Sequence, residues 1–136
     1  MGFDVFGPKR HVRASNVDDG SESRYDILAM PRAYGLICPQ LEALGQRFYE
    51  STLIRFASGN VHALRDELIQ LRDAYRARRE PELVEERHVR ARDPEIRRAI
   101  LEQVLQEDTL YRVLEEFRLL CEEAIMAEAD VRCEGD

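Results

Sequence analysis

Apolar positions change their rhythm near residue 38 of this chain. Before it they come in short alternations: Phe3 and Val5 share one parity, Asp4 and Phe6 the other. Such period-two spacing is the mark of a half-buried strand. "RYDILAM" (24–30) and "YGLI" (34–37) are two further strand candidates of the same short length. The polar, turn-rich "SNVDDGSES" (15–23), between the Phe3–Phe6 alternation and "RYDILAM", reads as an exposed loop or a mobile segment. A lone two-stranded hairpin is marginal in water, so one or two short strands here need a larger body to dock on. Phe3, Val5 and Phe6 are the side chains expected to make that contact, with Gly7-Pro8 turning the chain away.

After residue 38 the spacing becomes helical. Pro39 suits a first helical position, and Leu41, Leu44, Phe48, Thr52 and Phe56 follow at helical intervals. Tyr49, Leu53 and Ile54 widen the apolar surface, which predicts a central helix covered on several sides. Gly59 suits a left-handed C-cap and Asn60 the next N-cap, so the following helix should fold back antiparallel. That second helix carries Val61, Leu64, Leu68, Leu71 and Tyr75 in a 3-4-3-4 seam. It is expected to fray through "RARRE" before Pro81, with a short helix after it turning Leu83 and Val84 inward.

Asp93-Pro94-Glu95 combines a cap, a first-turn proline and a first-turn acid, and starts a helix with Ile96, Ile100, Leu101, Val104 and Leu105 facing inward. Asp108 can cap a last helix with the stripe Leu110, Val113, Leu114, Phe117, Leu120, Cys121, Ala124 and Ile125. At about 100° per residue the two stripes point roughly 130° apart, which favours a bend near Asp108 over one helix through 94–132. The fold class is therefore mainly α: an irregular four- to five-helix bundle with a non-helical N-terminal segment docked on it. It forms one domain, with an extended segment over 1–38, a bundle over 39–132 and a tail over 133–136.

Composition narrows the function classes. No apolar run approaches the ~20 residues that span a membrane. Asp4 interrupts any secretory signal, and Phe6 replaces the Ser or Thr of a myristoylation motif, so the expected location is the cytoplasm. Cys38, Cys121 and Cys133 are odd in number and lack metal-like or C-x-x-C spacing.

Catalytic and metal motifs are sparse. Glu85 and His88 have the Glu-x-x-His spacing of di-iron bundles, but the second copy such sites need is missing, and Arg87 and Arg90 would repel a cation. His62 and Asp66 pair at helical spacing with no nucleophile nearby in sequence. No catalytic residue, metal ligand or cofactor site is assigned. Nine arginines between 72 and 98 are interleaved with seven acids, which argues against a nucleic-acid face.

The net charge of −7 is concentrated at the C-terminal end, where residues 108–136 hold nine acids against three bases. Leu119 and Met126 lie behind the buried stripe of the last helix, among Glu115, Glu122 and Glu123, with Tyr111 at the edge. Apolar anchors in an acidic rim suit docking to a basic protein. The expected function is a non-catalytic protein-binding module, of which an immunity-type or inhibitory protein masking a basic partner is one version. A self-associating bundle, pairing this helix with its own copy as a homodimer, is the alternative.

Overall fold

A four-stranded antiparallel sheet joins the first residues of the chain to the last. In the computed structural model, which describes residues 2–15, 27–28, 30–50 and 53–135, β1 (Gly2–Phe6) and β2 (His11–Ser15) form a hairpin. β3 (Leu53–Phe56) lies at the far edge, and β4 (Val131–Gly135) is inserted between β1 and β3, giving the order β2-β1-β4-β3. One cross-strand row, Val12, Val5, Cys133 and Ile54, is buried throughout, and Val131 and Phe56 form the next buried pair.

Five helices make up the rest of the described fold: α1 (Met30–Ala33), α2 (Pro39–Glu50), α3 (Ser58–Glu86), α4 (Pro94–Glu107) and α5 (Thr109–Met126). Of these, α2, α3 and α5 pack against the strands, and α4 packs on α3 and α5. The fold is a helical bundle with strands docked on it. None of the described helices is long and apolar enough to cross a membrane. The seam Val61, Leu64, Leu68, Leu71 and Tyr75 of α3 is buried, and so are Leu110, Leu114, Phe117, Leu120, Cys121 and Ala124 of α5. Asp93 caps α4 by accepting from the Glu95 and Ile96 amides, and the chain bends at Asp108, which caps α5 through the Tyr111 amide.

The structure departs from several expectations. The helix from Pro39 stops at Glu50, and Leu53–Phe56, read as its continuation, form β3, with Ile54 and Phe56 inward and Leu53 and Arg55 outward. Gly59 consequently lies inside α3 and caps nothing. The α3 helix does not fray before Pro81 but runs through it to Glu86. A mid-helix proline costs about 3 kcal/mol. Here Arg76–Glu80, Arg79–Glu82 and Arg79–Glu86 bracket it, and buried Leu83 anchors the far side. Finally, residues 133–135 are no tail but the heart of the sheet. Ile96, expected inward, is half exposed. Segment 34–37 is turn and coil rather than strand, and the candidate strand 24–30 lies largely outside the described residues.

Two local contacts fix the pieces to one another. The first turn of α2 presents the amides of Gln40 and Leu41, and Cys38 before them has no side-chain oxygen to cap them. Glu67 of α3 supplies the cap instead, accepting from each amide at 2.9 Å while itself nearly buried. An anion at a helix N-terminus is doubly favoured, by the free amides and by the helix dipole. The second contact is the β1–β2 turn, closed by the Gly7 amide donating to the Arg10 carbonyl at 2.9 Å. The turn lies against α5: a Cβ at Gly7 would come 2.8 Å from Leu120 Cγ, and Arg10 Nε reaches Glu123 at 2.8 Å.

Leu120 is fully buried and cannot swing aside. Gly7→Ala should therefore lower stability by about 1–3 kcal/mol, the range for overpacking, read as a lower midpoint in urea. An unchanged midpoint would mean that the turn does not press on α5.

Candidate binding surface

The acidic face of α5 is built from residues whose charges meet partners within the chain. Glu115 accepts from Arg72 Nη1 at 2.6 Å and from Arg118 Nη2 at 2.7 Å. Glu122 lies 3.6 Å from Arg65 and 3.9 Å from Arg118, and Glu123 binds Arg10. Leu119 is half-buried and Tyr111 is only 5% exposed, so Tyr111 belongs to the core rather than to the edge of a surface. Met126 is 87% exposed at the end of the helix. Of the six candidate residues, Met126 alone is fully exposed, while the three acids tie α5 to α3 and to the β1–β2 turn.

The same arrangement continues along α3. Arg76 pairs with Glu80 and with Glu102 of α4. Arg79 pairs with Asp108 at 3.0 Å, and the Tyr75 hydroxyl donates to the same carboxylate at 2.8 Å. The bend between α4 and α5 is thus bolted to α3. Arg72, Arg76 and Arg79, which resemble part of a basic cluster in one dimension, pair with acids of α3 itself, of α4 and α5 and with Asp108 between them, while Arg78 lies over the Tyr34 ring at 5.0 Å.

The candidate chemistry of the sequence is dispersed. His88 holds φ at +52° just past α3, where the Val89 amide closes back onto the Val84 carbonyl at 3.0 Å, so its backbone terminates the helix. Its side chain lines an open cleft of about 370 Å³ with Arg87, Arg90, Gln103 and Glu107, and Glu107 pairs with Arg87. No group of three potential metal ligands gathers among the described residues. Burial pushes the Cys38 thiol up to about 11, helped by Glu67 and Glu42, and the Cys121 and Cys133 thiols up to about 12. None offers a thiolate at neutral pH.

The solvent side of the sheet is different. Its outward residues form two cross-strand rows: His11, Phe6, Arg132, Arg55 and Arg13, Asp4, Glu134, Leu53. In the first row the His11 and Phe6 rings stack at 4.5 Å between centroids, 3° from parallel, and the Arg132 guanidinium sits 4.7 Å from the centre of the Phe6 ring. Asp4 fixes the stack from below, within 2.8 Å of His11 Nε2 and 3.0 Å of Arg13 Nη1. Arg132 also pairs with Glu134 at 3.1 Å. Arg55, exposed and directly opposite Arg132, meets no carboxylate among the described residues. Phe6, expected to dock on the bundle with Phe3 and Val5, instead faces outward between His11 and Arg132, because Val5 alone of the Val5–Phe6 pair can point inward in a strand. Half of this surface comes from the two strands that the local pattern does not reveal.

Fold and surface together define a helical bundle carrying an open, preorganised sheet face. Comparison with protein-family models, curated proteins and solved structures gives no match to the chain, so function rests on this geometry.

Burial by itself would raise the Glu115 carboxyl, but the hydrogen bonds and charges of Arg118 and Arg72 outweigh it and hold Glu115 below the usual carboxylate range. A depressed folded-state pKa gives stability that is fully present above the unfolded value and is lost as pH falls through the folded one. Urea midpoints should therefore fall as pH drops below about 4.5, and Glu115→Gln should cost about 1–2 kcal/mol at pH 7 with a flatter acid limb. Equal acid limbs for the two proteins would show that Glu115 is not held by these arginines.

Proposed function

We propose that the chain is a non-catalytic protein-binding module whose working surface is the solvent face of the sheet. The Arg132–Phe6–His11 stack, beside an Arg55 that meets no carboxylate among the described residues, carries this reading. Stacked rings and guanidinium groups on strands are rigid before any partner arrives, so little side-chain freedom is lost on docking. Arginine and aromatic side chains are also the groups most enriched in binding hot spots. The acids of α5 support it from the other side: held by Arg72, Arg118, Arg65 and Arg10, they have little charge left for masking a basic partner. A second reading, docking or self-association through α5, is favoured by the exposure of Met126.

The two separate by experiment. A protein co-purifying with the immobilised chain from its native host is identified, purified and titrated against wild type, Arg13→Ser/Arg132→Ser and Met126→Glu. The sheet-face variant should weaken binding at least about tenfold, the equivalent of about 1.4 kcal/mol, with Met126→Glu unchanged. The reverse order transfers the function to α5. A wild-type dimer in light scattering that Met126→Glu dissociates establishes self-association instead.

A further inference from the structure

Two arginines stand directly opposite each other on the open sheet face, and nothing within the described chain neutralises one of them. Arg55 on β3 and Arg132 on β4 are register partners. Opposed side chains in antiparallel strands have Cβ atoms about 5 Å apart, and like charges there destabilise the sheet. Arg132 is relieved by Glu134 and by the Phe6 ring, whereas Arg55 is exposed and has no such relief among the described residues. The chain as a whole carries −7, yet its first outward row holds two guanidinium groups, a histidine and no acid. Acids are abundant elsewhere in this molecule, so a cationic row is a local departure from its composition.

We propose that the Arg55–Arg132 pair is an anion-docking site and that its occupant is an acidic segment of a partner protein, a carboxylate of which bridges the two guanidinium groups. The inference rests on the sheet-face reading above and names the chemistry of the partner. Both arginines are planar donors on adjacent strands at one register position, long enough to converge on a single carboxylate, and the charge-assisted hydrogen bonds formed are the strong kind. A nucleic-acid strand fits less well. The Phe6 ring is stacked on His11 and covered by the Arg132 guanidinium, its cross-strand neighbours on either side, so Phe6 offers no open face to a base. A phosphate backbone also needs a continuous basic track, and here the neighbouring row interposes Asp4 and Glu134.

The substitution Arg55→Thr removes the repulsion and places a good strand former on the face, so the site has an unusual signature: loss of binding with gain of stability. Fluorescence anisotropy of a labelled (Asp-Glu)5 decapeptide at low salt, with a labelled dT10 oligonucleotide as the second arm, reads the first property. Thermal melting of the free protein reads the second. Wild type should bind the peptide saturably, Arg55→Thr should weaken it roughly tenfold, the equivalent of 1.4 kcal/mol, and the free variant should melt higher than wild type. Absence of saturable peptide binding overturns the proposal, as does equal binding by Arg55→Thr. An oligonucleotide that binds more tightly than the peptide through Arg55 overturns it in favour of nucleic acid. A variant that melts lower shows Arg55 to be structural, and also overturns it. Should the identified partner depend on Arg13 and Arg132 while the peptide fails to bind, the sheet-face module stands and the acidic occupant falls.

Discussion

The structure depends on one act of pairing, the insertion of β4 between β1 and β3. Without it β3 has no partner among the described strands and the β1–β2 hairpin is left alone. The row Val12–Val5–Cys133–Ile54 exists only because three distant segments meet there. Its position is set by α5: the helix ends at Met126, Glu128 takes a left-handed conformation, and the Ala129 amide closes onto the Ala124 carbonyl at 2.8 Å. That reversal delivers Val131 to the sheet. The same helix receives the hairpin turn through Gly7 against Leu120, so α5 positions both the strand and its neighbour.

A second organising fact is where the charges go. The arginines of α3 and the acids of α4 and α5 lie across from one another and pair. A linear reading sees a basic middle and an acidic end, whereas the folded molecule brings the two together. Partly buried pairs of this kind fix how helices sit together, and each is worth little alone because desolvation offsets attraction. Their consequence for function is subtraction. Once these pairs are formed, the acids of α5 that looked free in the sequence are engaged, and the outer face of the sheet sets two arginines directly opposite each other.

Legibility in the sequence followed locality. The buried stripes of α3 and α5, the caps Asp93 and Asp108 and the bend between α4 and α5 are encoded within a few residues of where they act, and they were readable. Strands β3 and β4 were not. "LIRF" fits a helical face as well as a strand when only its neighbours are seen, and its period-two pattern acquires meaning through Cys133 and Val131, some eighty residues away. Glu67 is similarly opaque, since its role is to cap a helix 26 residues earlier. The candidate surface split along the same line: Phe6 and His11 are local to the hairpin, while Arg55 and Arg132 join them through pairing alone.

Amide hydrogen exchange followed residue by residue tests this account most directly. If β4 is the strand that closes the fold, the amides of Val131–Gly135 that donate to β1 and β3 exchange only with global opening, as slowly as the core of α3 and α5. Rapid exchange of residues 131–135 beneath a still-protected α3 and α5 would contradict it, leaving a helical bundle with a loose tail and no sheet face to present.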